Sequence, residues 1–86
     1  MQLHDREAIV EQARVDLAKR LDLALDEIEV RSVEERSFRD ASLGVPEPGQ
    51  MYAQMITPGY VVRLRAQGKG YEYHGSGERV VRAPED

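Results

Sequence analysis

The sequence predicts an α+β fold: one N-terminal helix packed on an antiparallel sheet of about four strands. Three observations lead there. Apolar residues recur at three- and four-residue spacing near the N-terminus. Apolar and polar residues alternate in "YVVRLRA" and again in "YEYH". Between them, "QGKG" and "GSGE" supply the glycine-bearing turns that connect short antiparallel strands.

The helix is predicted over residues 5–21. Ile9, Val10, Ala13, Leu17 and Leu21 form its apolar stripe. Asp5 reads as its N-cap, with Glu7 and Glu11 near the positive end of the dipole and Lys19 and Arg20 near the negative end. Asp22 then takes the position just past the helix, where glycine or asparagine is commoner. "LALDE" turns the chain back toward the core.

The first strand is predicted over residues 28–38. Ile28 and Val30 share one face, and a bulge shifts the alternation on the way to Phe38. A second strand is predicted at residues 50–56. "TPGY" reads as a type II turn, since Pro58 presets φ and Gly59 accepts positive φ. Strands at 60–66, 71–74 and 79–83 complete the sheet, all within one domain spanning residues 1–86.

Charge narrows the functional classes. Residues 1–40 carry eleven Asp and Glu against seven Lys and Arg, whereas residues 41–86 carry five of each. An acidic helical half is poorly suited to neutralising phosphates, and few aromatics are present to stack bases, so nucleic acid is not an expected partner. There is no Cys, which removes disulfides and thiolate metal sites. No apolar run approaches the roughly 20 residues of a membrane span. No signal segment opens the chain, which sets a cytoplasmic default, although a secreted mature fragment with an added Met would read the same.

Catalysis finds little support. His4 and His74 belong to different elements, and "GKGYE" lacks the P-loop pattern. His74 and Ser76 invite comparison with a base and its nucleophile, but no third group is evident to orient the imidazole. His74 reads better as an exposed strand residue paired across the sheet. No cofactor is implied.

Two surfaces remain as binding candidates. The first is the loop from Asp40 to Gln50, where Pro46 and Pro48 stiffen a segment ended by Gly49. A stiff loop loses less entropy on docking, so Asp40, Ser42, Leu43, Val45, Pro46, Glu47 and Pro48 are the expected interaction residues, with Leu43 and Val45 as apolar anchors. The competing reading folds Leu43 and Val45 inward as a plug for the small core, with Asp40 and Ser42 bonding local backbone. The second surface is the outer sheet face. If Val62, Leu64, Tyr71 and Tyr73 face the helix, then Arg63, Arg65, Glu72 and His74 stand together on the other side. That patch is either ordinary cross-strand charge pairing or an anion site built on the two arginines.

The motif Phe38-x-Asp40-x-Ser42-Leu43-Gly44-Val45-Pro46-x-Pro48-Gly49, followed by Tyr52-x-Gln54-x-x-Thr57-Pro58-Gly59-Tyr60 and Tyr71-x-Tyr73-His74, resembles a family of small uncharacterised bacterial proteins. Those read W-x-D-x-S-L-G-C-P-x-P-G, then Y-x-Q-x-x-T-P-G-Y and Y-E-Y-H. Phe38 replaces their Trp and Val45 their Cys, so any role of that Cys does not carry over. The helix-to-strand entry is also similar to PepSY-like domains, and the element order to cystatin-like folds. The resemblance implies a fold and no activity. The expectation is therefore a non-enzymatic interaction or inhibitor-like module acting through loop 40–50 on another protein. The alternatives are an acidic ligand on the outer face, or a structural domain that is monomeric or weakly dimeric through an open sheet edge.

Overall fold

A computed structural model describes residues 2–39, 42–44, 49, 51, 56–77 and 79–83. Helix α1 (Gln2–Leu21) is followed by a single 3-10 turn (Leu25–Glu27) and four strands: β1 (Glu29–Phe38), β2 (Thr57–Ala66), β3 (Lys69–Ser76) and β4 (Arg79–Arg82). The strands pair antiparallel in chain order, β1-β2-β3-β4, so the sheet is a meander with α1 across one face.

The stripe read from the sequence is the face that packs. Ile9, Ala13 and Leu17 are fully buried against Val62, Leu64 and Tyr73, with Ile28, Ala18 and Ala66 closing the same core. Burying side chains the size of Ile9 or Leu17 contributes about 1.5–3 kcal/mol each. Tyr73 brings a hydroxyl into this core, and it donates to Asp16 Oδ2 at 2.6 Å, where Arg20 Nε also donates at 2.6 Å. A buried tyrosine needs such a partner. Burial and the neighbouring carboxylate push the Tyr73 hydroxyl well above its ordinary value.

The helix starts at Gln2, so Asp5 lies within its first turns and is not the N-cap that its residue type and position imply. Its end matches the sequence reading. Asp22 takes a left-handed φ of 58°, Asp22 N–H reaches the Lys19 carbonyl, and Leu23 N–H donates to the Ala18 carbonyl at 2.9 Å. This pair of bonds is a Schellman motif built on aspartate.

The bulge in β1 falls at Arg31, between Val30 and Ser32. It moves the inward-facing positions from even to odd numbers. Ile28 enters the core before it and Val33 packs against the core after it; Val30, opposite the core residue Leu64, keeps the face of Ile28 as expected but is 39% exposed. Glu34, Arg36 and Phe38 are consequently delivered to the outer face.

"TPGY" is not a turn. Thr57–Tyr60 opens β2, with Pro58 opposite Ser37, and Gly59 does not adopt positive φ. Pro58 is the second residue of its strand, close to the strand start where proline is tolerated. The glycine serves close approach instead: a methyl at Gly59 would collide with the Gly75 carbonyl oxygen and crowd Phe38 and Ser76. The strand expected at 50–56 lies mostly outside the described residues; at its two ends Met51 and Ile56 are exposed and belong to no strand. "QGKG" forms the tight hairpin expected, with Gln67 and Gly68 both at positive φ and Ala66 opposite Lys69.

Candidate functional site

The outer face carries a second, smaller apolar cluster. Phe38 and Val61 meet Leu43, with Val81 packed beside them. Leu43 is 1% exposed and Ser42 3% exposed, so the tip of the loop folds over the sheet. Leu43 and Gly44 take successive left-handed conformations (φ 57° and 78°), which bring the Leu43 carbonyl down onto β3.

That carbonyl meets His74. His74 Nδ1–H donates to the Leu43 oxygen at 2.6 Å, and Nε2 lies 2.7 Å from Glu72 Oε2. The ring also stacks obliquely on Phe38, with centroids 5.3 Å apart. His74 is only 8% exposed, so the expectation of an exposed, cross-strand-paired residue is corrected. Its partners lie along its own strand and on a loop 31 residues away. Both ring nitrogens are thus engaged, one by a backbone carbonyl and one by a carboxylate. Both nitrogens already have partners within the fold, and Ser76 Oγ donates to the Pro58 carbonyl at 2.6 Å rather than to the imidazole. A histidine–serine nucleophile is therefore not assembled.

Glu72 links this latch to the charged part of the face. Its other oxygen, Oε1, lies 3.4 Å from Arg63 Nε, while Arg63 also reaches Glu34 Oε2 at 2.9 Å. Arg36 approaches the same Glu34 at 3.4 Å. The result is a continuous chain from the Leu43 carbonyl through His74, Glu72 and Arg63 to Glu34. The His74 hydrogen bond, helped by Arg63, holds the Glu72 carboxyl below its ordinary value against the opposing effect of burial. At Asp16 burial alone acts upward, but the bonds from Tyr73 and Arg20 outweigh it and the carboxyl also lies below its ordinary value.

These depressed values set the acid limb of stability. A carboxyl lowered in the folded state stabilises the fold above its unfolded value and loses that contribution as pH falls through the folded value. The ordinary values are 4.5 for Glu72 and 3.8 for Asp16. Urea midpoints are thus expected to fall as pH drops from about 6 to about 3, and to fall less steeply for Glu72→Gln. Parallel curves for the two proteins would show that Glu72 contributes nothing to this linkage.

Beyond Arg63 the face opens into a cleft of about 800 Å³, lined by Arg31, Arg63, Arg65, Lys69, Tyr71 and Glu72 among others. Arg63, Arg65 and Glu72 stand together on this face, and Arg31 reaches it from the bulge while pairing with Glu29 at 3.8 Å; Lys69, opposite Ala66, projects to the helix side. Arg65 is exposed and pairs with no carboxylate among the described residues. Lys69 lies 5.6 Å from the centre of the Tyr71 ring. Of the residues named from sequence, Arg63, Arg65 and Glu72 line this cleft, while His74 stands behind Glu72 in the latch. Ser42 and Leu43 belong to the buried tip. Asp40, Val45, Pro46, Glu47 and Pro48 lie outside the described residues.

Nothing in the sequence marks Arg31 or Lys69 as a site residue. Arg31 reaches the cleft from the bulge, and the only trace of this is a broken alternation around it. Lys69 opens β3 beside the hairpin turn, where a cation is unremarkable.

Among the described residues no group of three His, Asp or Glu side chains is placed to hold a metal ion, and no helix is long and apolar enough to cross a membrane. Residues 10–83 match the family model described as a domain of unknown function, DUF8738. No curated protein and no solved structure matches the chain.

Proposed function

Starting from a chain that belongs to the DUF8738 family, we infer that it is a non-enzymatic binding module whose recognition site is the cationic cleft on the outer sheet face. The ligand is an acidic group, a carboxylate or phosphate carried by a peptide or small molecule. The observation that carries this reading is the gathering of Arg31, Arg63 and Arg65 at one cleft, with Arg65 unpaired among the described residues. A guanidinium in that position supplies paired N–H donors to a planar or tetrahedral oxyanion.

The loop reading loses its principal anchor. An inhibitor-like wedge or docking loop needs Leu43 at the surface, and burial of that side chain favours the packing role instead. A kinship with PepSY-like or cystatin-like domains would rest on the order of helix and strands alone and adds no activity.

Calorimetric titration with inorganic phosphate and with a short acidic peptide tests the cleft. Affinity is expected to fall as salt rises. Arg65→Ala should weaken binding about tenfold, the ~1.5 kcal/mol of one charge-assisted hydrogen bond. Because Arg65 is exposed, its melting temperature should stay within a degree or two of the parent, on the small effect usual for surface substitutions. Heats indistinguishable from a chloride control, or an Arg65→Ala affinity equal to that of the parent, would remove the proposal.

A further inference from the structure

We propose that the loop tip and the cleft are coupled: an acidic ligand in the cleft and the Leu43 tip latched on His74 stabilise one another through Glu72 and Arg63. This rests on the cleft reading above and adds a regulatory element to it.

The argument begins with Glu72, which belongs to both sites. One carboxylate oxygen is held by His74 Nε2 at 2.7 Å, and the other stands 3.4 Å from Arg63 Nε at the wall of the cleft. Glu72 therefore engages Arg63 through one oxygen at a long distance, although directly opposite cross-strand partners can pair more closely. His74 is in turn fixed by the Leu43 carbonyl at 2.6 Å and by the Phe38 ring. Gly44 lies over the same imidazole, since a methyl there would sit 3.5 Å from Nδ1. A described segment of the loop thus determines how the histidine, and through it the carboxylate, is oriented.

Two arrangements of the same groups follow. With the tip latched, His74 draws Glu72 along β3 and leaves Nη2 of Arg63 for a ligand, Nη1 being held by Glu34. With the tip released, the imidazole loses its carbonyl partner and the cover of Gly44, keeping only the Phe38 ring, and Glu72 is less firmly restrained. The carboxylate then closes on Arg63 with both oxygens, a geometry that guanidinium favours. The cleft loses a cation to an internal anion. An acidic ligand therefore binds the latched arrangement more tightly, and by linkage its binding holds the tip down. The charged neighbours are Glu34 on β1, which keeps its own 2.9 Å bond to Arg63, and Arg36 on β1, which approaches Glu34.

The test is a titration of the full chain with inorganic phosphate against a chloride control at constant pH and ionic strength, followed by ¹H–¹⁵N NMR. Amides of Arg65, Lys69 and Gly70 report the cleft; Leu43, Gly44 and the His74 ring report the latch. Both groups are expected to shift along one curve with a shared Kd. In His74→Gln the cleft signals should still titrate, but with affinity weaker by about fivefold or more, and those of Leu43 and Gly44 should no longer follow them. Cleft signals that move while Leu43, Gly44 and His74 stay still in the parent protein would overturn the coupling and leave the cleft standing. An absence of movement in the cleft would overturn both. The parent titration decides the matter even where the variant folds poorly.

Discussion

Leu43→Ala is expected to lower the stability of the fold by about 2–4 kcal/mol, the cost of truncating a buried leucine whose surroundings collapse only partly. The side chain is 1% exposed among Phe38 and Val61, with Val81 at its edge. In so small a cluster there is little mobile material to refill the space. The loss has a second route. The Leu43 backbone is left-handed, at φ 57°, and its carbonyl is the partner of His74 Nδ1. A tip that no longer packs also frees a buried imidazole N–H from its acceptor, and leaving a buried donor unmet costs about 1–3 kcal/mol. Urea unfolding at neutral pH measures the change as a shift of midpoint at constant slope. A melt unaltered by the substitution would return Leu43 to the role of an exposed docking anchor.

That residue also marks the limit of what its sequence discloses. The helix was legible because a 3.6-residue stripe has few other uses, and β2 and β3 because alternation survives in "VVRLRA" and "YEY". The end of the helix was legible at Asp22 even without glycine, since charge and the end of the stripe coincide there; the Schellman bonds themselves were not. His74 was not legible, because its decisive partner is a backbone oxygen, which any residue at position 43 would provide. Only the three-dimensional path of the loop puts it there. The bulge at Arg31 leaves a similarly faint trace: it contains no glycine, and its plainest consequence comes seven residues on, where the apolar Phe38 reaches the outer face. Arg63, Arg65 and Glu72 were placed together by their alternation within single strands, and that part of the cleft needed no tertiary information. "TPGY" misled because proline and glycine have turn-forming habits of their own. Here the reason for the glycine lies across the sheet, in the backbone of β3.

The same place yields the second large effect. Gly59→Ala is expected to destabilise by about 3 kcal/mol, at the upper end of what overpacking usually costs. The added methyl would collide with the Gly75 carbonyl oxygen, and it would stand 3.1 Å from both Phe38 and Ser76. The first of these obstacles is main chain, part of the β2–β3 pairing, and it gives way only if the strands separate. Gly75→Ala provides the contrast, since its methyl would point to the helix face and meet Ile9, 2.5 Å from Cγ2 and 3.1 Å from Cγ1. Those are side-chain atoms. Ile9→Ala should therefore recover part of the loss caused by Gly75→Ala, because the new methyl occupies space that the truncation vacates. No truncation of Phe38 or Ser76 should recover Gly59→Ala, because the carbonyl remains. A double-mutant cycle for Gly75→Ala with Ile9→Ala, read by chemical denaturation, is expected to show a favourable coupling of about 1 kcal/mol or more, whereas Gly59→Ala with Phe38→Leu should show none. Equal rescue in both cycles would mean that Phe38 packing, and not the approach of the two strands, is what requires glycine at position 59. Should the carbonyl prove decisive, Gly59 is tied to the pairing of β2 with β3. The same pairing sets Arg63 opposite Glu72 at the start of the proposed relay.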